Sequence, residues 1–213
     1  VGIMYYAALV PCVFSAFIGE RISIFMGVRT LTAPYPVEEV PNFYGIAWGK
    51  AILLAICFAF AGALFCVMLH IFEKQLKKWF QNPYFRVFVG GVTVLWKITG
   101  TDTYLGLGGG TIAQSFAESQ KLWVFLLKML FTCITLCSGF KGGEIVPSLF
   151  IGATFGSALA PIFGLPVDIC AACGMVGVFC AVTNSPISSL LIAFELFGFA
   201  GMPYFCTVIA VSY

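Results

Sequence analysis

Long runs of apolar residues constrain this chain more than any other feature. Residues 47–71 form such a run, in which Lys50 is the one charged side chain. A helix needs about 20 apolar residues to cross the hydrocarbon core of a bilayer, so this run is long enough to span it with some tilt. Of the 213 residues, 61% are hydrophobic and 9% are charged, whereas an ordinary soluble domain carries about 25% charged residues. The chain has too little polar surface for a soluble globule, and we predict an all-α integral membrane protein.

Further apolar runs predict additional helices, some of them too short to cross a membrane. The predicted helices are residues 4–25, 47–71, 85–98, 122–136, 146–159, 167–182, 186–198 and one that begins at Met202. Pro161 and Gly164 are expected to break the run 146–159 into a half-span of about 21 Å. The glycine-rich stretch 104–121 is too polar to face lipid, which predicts a short or re-entrant helix. Short helices interrupted by Gly and Pro are typical of transporters with a site near the membrane midplane.

The charges are few but unevenly placed. Lys74, Lys77, Lys78 and Arg86 give the densest positive charge in the chain, and a loop carrying them is expected to face the cytoplasm. A solvated amphipathic helix end with the same placement is the alternative. A proline-rich stretch at 34–41 predicts an external loop. The net charge of +2, with no basic stripe, argues against a nucleic-acid partner.

The nine cysteines lie mostly within apolar runs, where a thiol packs as a small hydrophobe, so disulfides are not predicted. Cys170 and Cys173 form a C-x-x-C pair, but their apolar neighbours favour packing over a redox or zinc site. An intramembrane enzyme would need a nucleophile with a base, or a metal cluster, and the chain offers a single histidine and no such grouping. We therefore predict no metal, no cofactor and no catalysis.

One segment between two apolar runs, GFKGGEIVPS, combines glycines, an acid and a proline. Proline is favoured at the first position of a helix, so Pro147 predicts a helix start. Such a start leaves the amides of Glu144, Ile145 and Val146 outside the helical hydrogen-bond ladder. Gly143 lets the backbone approach an ion closely, and the helix dipole places about half a positive charge at this end. These five residues predict an anion site; an ordinary Gly-Pro turn that starts a buried helix is the alternative.

Glu144 favours an ionic function over a simple turn. A carboxylate within a membrane segment is costly unless it is paired or functional, and the default interpretation is an ion or proton pathway. Lys141 offers electrostatic support, and a Lys141–Glu144 salt bridge without a transport role is the alternative. A protonated carboxyl can donate to an anion that the ionised carboxylate would repel, so protonation and anion binding would favour each other.

The stretch GFKGGEIVPSLFIGATFGSALA resembles the G-x-F-x-P helix start in the second half of the CLC anion channels and transporters. In that family, backbone amides near the motif help to hold the permeating anion, which maps onto Ile145 and Val146. Ile145 replaces the usual Phe, and Glu144 stands where an apolar residue is common, as in the fluoride-exporting branch. VTNSPISSLLIAFELFG at 182–198 is similar to the next motif of that branch, and YLGLGGGTI resembles its earlier glycine loop.

This resemblance implies a CLC-type inverted-repeat fold with broken and half-spanning helices, in which residues 1–213 form the second repeat. The chain starts at Val1, ends within an apolar segment and lacks the G-S-G-x-P and G-R-E-G-P motifs of the family's first half, so we expect the N-terminal repeat to be missing. The resemblance further implies fluoride export coupled to proton import by a homodimer in a bacterial inner membrane. Chloride transport, by channel or antiport, and a noncatalytic membrane scaffold subunit are the alternatives.

Overall fold

The computed structural model describes residues 6–27, 37, 40–41, 44–98, 104 and 107–213. The regular structure within these ranges is helical, which confirms the predicted all-α class. After a 3-10 turn at Tyr6–Ala8, the α-helices are α1 (Leu9–Phe25), α2 (Ile46–Trp79), α3 (Pro83–Ile98), α4 (Gly109–Ala117), α5 (Leu122–Cys137), α6 (Ile145–Phe163), α7 (Val167–Thr183), α8 (Pro186–Phe197) and α9 (Met202–Ser212). Most of the predicted proline-rich loop and the turn at 99–103 lie outside the described residues.

Helix α7 lies at the centre of the packing. Nearly all of its residues are buried, and it contacts α2, α6 and α9. Gly177 shows how closely these neighbours approach, because a Cβ atom added there would lie 2.7 Å from Val208 and 3.0 Å from Phe58. A helix that is apolar on every side belongs in the interior of a helix bundle. Helices α2, α4, α6, α8 and α9 therefore pack around α7.

Helices α6 and α7 touch through their backbones. A Cβ atom added to Gly152 would lie 2.2 Å from the Gly174 carbonyl oxygen, and one added to Gly156 would lie 2.1 Å from the Cys170 carbonyl oxygen. The partner on α7 moves back along the chain as the residue on α6 moves forward, so the two helices are antiparallel. Small residues spaced four apart in α6, here Gly152 and Gly156, allow this close packing.

Helix α6 is longer than the sequence predicted. It runs through Pro161 to Phe163, and Gly164 ends it in the left-handed conformation. Proline cannot donate to the carbonyl four residues earlier, here that of Ser157, but the Ser119 hydroxyl donates to this carbonyl instead, at 2.9 Å. With its freed acceptor satisfied, α6 continues to 19 residues, about 28 Å, so the predicted half-span is wrong.

Helix α2 also exceeds its predicted end. The cationic segment after residue 71 forms the last turns of α2, which is the helix end given as the alternative to a loop, and the actual turn is confined to residues 80–82. Its long straight side chains are good helix formers, and Lys77 pairs with Glu73 one turn before it. At 34 residues, about 51 Å, α2 is longer than the hydrocarbon core, so its charged end can project into water.

Helix lengths separate spanning from half-spanning elements. Among the described residues, α2 and α6 are long and apolar enough to cross a bilayer. By contrast α4 and α8 are about 13 and 18 Å long, too short to cross alone. The short helix α4 confirms the element predicted within 104–121. Along α1, the side chains from Val10 to Phe25 are exposed except for half-buried Ser23, so this helix presents its surface to the surroundings of the bundle.

Candidate functional site

The site predicted from the sequence is the turn between α5 and α6 together with the start of α6. The helix begins at Ile145, with Glu144 as its N-cap residue, so Pro147 occupies the third position and not the predicted first. Proline fits there because amides of the first turn have no partner within the helix. The first helical hydrogen bond runs from the Ser148 amide to the Glu144 carbonyl oxygen, at 3.0 Å.

The start of α6 is rich in amide groups without acceptors. Among the described residues, no backbone acceptor receives the amides of Gly142, Gly143, Glu144, Ile145 or Val146, and no side chain caps the helix. These donors are therefore available to water or to a ligand. Free amides at the positive end of a helix dipole form an arrangement that binds anions.

Exposure changes sharply along this segment. Residues 139–145 are exposed, with the Ile145 side chain at 53%, while Val146 and Pro147 are half-buried and Ser148 is fully buried. Buried Ser148 fixes the first turn, because its hydroxyl donates to the Ile145 carbonyl oxygen at 2.6 Å. The site is thus firmly anchored on its helical side and open on the other.

The Glu144 carboxylate lies at the surface of this chain, on the side of α6 that is near Cys66 of α2 and Cys133 and Cys137 of α5. Lys141 is also exposed, and it forms no ion pair with Glu144. Of the residues predicted for the site, residues 143–147 lie together at the start of α6. Lys141 makes no ion pair with them, so its contribution is limited to long-range electrostatic attraction.

Cys170 and Cys173 lie buried in α7, which is the packing role predicted for them. All nine cysteines are free thiols. The described ranges contain no group of three or more His, Cys, Asp or Glu side chains that could hold a metal ion.

Sequence reasoning missed one polar residue close to this helix. Lys128 of α5 is 4% exposed, and its ammonium nitrogen lies 3.2 Å from the Tyr104 carbonyl oxygen and 4.8 Å from the centre of the Phe150 ring on α6. A lysine in the middle of an apolar run was the available signal. The sequence could not show that Lys128 lies against the same helix that carries the candidate site.

The fold and the site together define a class of protein. Apolar helices of full and half length surround a buried central helix, and one helix start offers free amides beside an acidic residue. Irregular backbone at a helix start within an apolar bundle is where membrane transport proteins place their ion sites. The class is therefore that of helical integral membrane proteins with helices of full and half length.

A sequence profile described as "Voltage gated chloride channel" matches residues 2–213. The chain belongs to this family, the CLC family, and is an integral membrane protein, so the resemblance read from the motifs is confirmed. A chloride/fluoride channel protein of Pseudomonas syringae pv. tomato is 35% identical over 206 residues, which cover 93% of this chain and 45% of that protein. An uncharacterized protein of Methanocaldococcus jannaschii is 32% identical over 155 residues, 65% of this chain and 38% of that one.

The same assignment comes from the three-dimensional comparison. The crystal structure of a CLC-type fluoride/proton antiporter matches with a TM-score of 0.90 and 30% sequence identity, over 100% of this chain and 54% of that chain. The helices described above are therefore arranged in the CLC-type fold. The chain spans about half the length of the relatives it matches.

Proposed function

We propose that this chain is the second half of a transporter that exports fluoride in exchange for protons. The observation that carries the proposal is Glu144, an acid at the N-cap of α6, flanked by consecutive amides that have no acceptor among the described residues. The similarity to a chloride/fluoride channel protein and to a CLC-type fluoride/proton antiporter supports it.

The anion is held by the start of α6. The free amides of Ile145 and Val146 and the positive end of the helix dipole supply donors and charge without a cationic side chain. Fluoride is small and strongly hydrated, so a site for it must replace water with strong donors, and a protonated carboxyl is such a donor. Gly143 and Pro147 shape the backbone on either side of Glu144.

Glu144 couples the proton to the anion. In its protonated form it donates to the bound halide, and in its ionised form it repels the same ion. Binding of either ion therefore favours binding of the other, so the proton and the halide are thermodynamically coupled at this site. Exposed Lys141 contributes long-range attraction for the anion.

The other side of the site is supplied by the rest of the transporter. Residues 139–145 are exposed on this chain, whereas an ion in a membrane transporter must be enclosed. The chain corresponds to 45% of the Pseudomonas syringae protein and 54% of the antiporter chain, so we propose that a preceding N-terminal repeat covers this face. The complete protein acts as a homodimer in a bacterial inner membrane.

Glu144→Gln tests the proposal in vesicles that contain the complete protein. Glutamine keeps the shape and a donor but cannot exchange a proton, so fluoride-driven proton movement is expected to fall about tenfold or more. A fluoride electrode and a pH-sensitive dye inside the vesicles measure the two fluxes. Glu195→Gln is the control, since Glu195 is an exposed acid on α8, away from the site.

Three results would contradict the proposal in different ways. Full proton-coupled fluoride transport by the Glu144→Gln protein would remove Glu144 from the mechanism. If the wild-type protein releases chloride faster than fluoride, the result would instead favour the alternative function, a chloride channel or a chloride/proton antiporter. A complete protein that moves neither ion would favour the scaffold subunit.

A further inference from the structure

Lys128 is a cation deep inside an apolar bundle. It lies in the middle of α5 and is 4% exposed. Burying an ammonium group away from water costs free energy unless hydrogen bonds and charge interactions compensate. Charged residues within membrane segments are accordingly rare and are a functional hypothesis by default. The contacts of Lys128 indicate which function it serves.

Those contacts join two separate segments. The Lys128 ammonium donates to the Tyr104 carbonyl oxygen at 3.2 Å, in the segment that leads into α4. It also lies 4.8 Å from the centre of the Phe150 ring, which is fully buried on α6. A cation over an aromatic ring is attracted by the negative charge of the ring face, more strongly when both are out of water. Lys128 therefore holds the entry to α4 and the helix α6 at the same time.

Gly108 packs against the same Phe150 ring. It lies directly before α4 in the left-handed conformation, and a Cβ atom there would lie 2.5 Å from the Phe150 ring. The Tyr104 ring packs on Phe131 of α5, with 5.9 Å between ring centres. We call Tyr104, Gly108, Lys128 and Phe150 the Lys128 cluster. Its only member on α6 is Phe150, which lies five residues after Ile145, about 7 Å along the helix.

We propose that Lys128 is a positioning residue for the anion site, an inference that rests on the function proposed above. By holding the Phe150 ring against the segment that enters α4, it sets the rotation and tilt of the first turns of α6. The free amides of Ile145 and Val146 are rigidly attached to those turns. Lys128 thereby sets the direction in which these amides face the ion, without touching it.

Lys128→Met tests this in the complete protein, because methionine keeps the length and the apolar stem but removes the charge and the donors. We expect the fluoride concentration for half-maximal transport to rise about tenfold, with a smaller change in maximal rate per folded molecule. Lys128→Arg, which keeps a cation able to donate and to stack, is expected to restore it to within about twofold. A loss of folded protein alone would lower the maximal rate and leave half-saturation unchanged.

Lys121→Met is the matched control. Lys121 also lies over an aromatic ring, 5.1 Å from the centre of the Trp123 ring, but it is exposed and precedes α5. Its replacement is expected to leave half-saturation at the wild-type value. If the Lys128→Met protein fails to fold, Phe150→Leu takes its place, since it removes the ring face and keeps apolar volume, and it should shift half-saturation in the same direction.

Hydrogen exchange separates this proposal from the proposed function. The peptide spanning residues 142–149 should exchange its amides at a changed rate in Lys128→Met and at the wild-type rate in Lys121→Met, whether or not any ion is transported. Wild-type protein that moves no halide would refute the transport proposal, and the exchange result would still decide the role of Lys128. The role of Lys128 is refuted if the folded Lys128→Met protein keeps both the wild-type half-saturating fluoride concentration and the wild-type exchange rate. It is also refuted if Lys128→Met and Lys128→Arg shift the half-saturating concentration equally.

Discussion

At the scale of single residues, the glycines between α6 and α7 leave no room for a side chain. Their Cα atoms face the partner helix at distances that leave no room for a methyl group. The hydrophobic effect does not drive helices together inside a bilayer, because lipid tails are as apolar as the side chains. Close van der Waals packing of this kind therefore holds them together. Because α6 also carries the candidate site, its contact with α7 is a condition for the geometry of that site.

Gly174→Ala is expected to destabilise the protein by about 1–3 kcal/mol, since overpacking forces a backbone shift. The added Cβ atom would lie 2.1 Å from the Gly152 carbonyl oxygen, and backbone cannot yield as a side chain would. The midpoint of thermal unfolding in detergent should fall accordingly. Gly110→Ala is the control: its Cβ atom would meet nothing within 4 Å, and alanine favours the helix, so stability should be equal or higher. Equal midpoints for both variants would argue against the close contact.

Glu144 also has an unusual position for its residue type. Asp, Asn, Ser and Thr are the preferred N-cap residues because their short side chains reach the free amides of the first turn. The Glu144 side chain makes no such bond. The amides and the carboxylate are therefore both left available, which a capping serine would not allow.

At the scale of helices, the length of α6 depends on a bond from outside it. Pro161 removes one helical hydrogen bond, and Ser119, in the turn before α5, donates to the Ser157 carbonyl that Pro161 leaves free. The neighbouring Gln120 amide donates to the Ser157 hydroxyl at 3.2 Å. The turn between α4 and α5 thus supports the second half of α6.

Ser119→Ala is expected to cost about 1–3 kcal/mol, because it leaves the Ser157 carbonyl without a donor in the interior. In a Pro161→Ala background the alanine amide can donate to that carbonyl, so the same Ser119→Ala change should cost less than about 0.5 kcal/mol. Thermal midpoints of the four proteins in this cycle measure the coupling. Ser15→Ala serves as the control, since the Ser15 hydroxyl bonds the Pro11 carbonyl on the exposed surface of α1. If the stability changes of Ser119→Ala and Pro161→Ala are additive, the Ser119 hydroxyl does not replace the amide donor that Pro161 lacks.

At the scale of the whole molecule, positive charge is concentrated at one end of the long helix α2. Lys74, Lys77 and Lys78 lie on its last turns, and Arg86 follows in α3. Toward the opposite end, α2 carries one cationic side chain, Lys50. Positive charge of this density is retained on the cytoplasmic side. The distribution therefore predicts that the lysine-rich end of α2 faces the cytoplasm.

Lys78→Cys should react with a membrane-impermeant maleimide only when the cytoplasmic face is accessible. Tyr44→Cys, at the other end of α2 and 86% exposed, should react from the outside of intact cells. Both changes are made in a background without the exposed cysteine Cys12, and mass spectrometry locates the label. Labelling of Lys78→Cys in intact cells would reverse the orientation argued here.

The sequence by itself determined the class of this protein and the place of its candidate site. Low charge and long apolar runs left no soluble alternative, and GFKGGEIVPS between two such runs located the helix start, because local propensities for glycine, proline and acidic residues act within a few residues. The family followed from the same motifs. These features depend on short-range chemistry that the order of residues specifies directly.

Only the tertiary structure decided what depends on distant partners. Pro161 predicted an end to α6, but Ser119 satisfied the carbonyl that the proline left free, and the helix continued. In the sequence, Lys128 is a single lysine within an apolar run. In the structure, the packing of α5 places it between Tyr104 and Phe150. In each case the outcome depends on a hydrogen bond or charge contact between residues far apart in the chain, whose free energy exceeds the local preference and cannot be read from the neighbours of either residue.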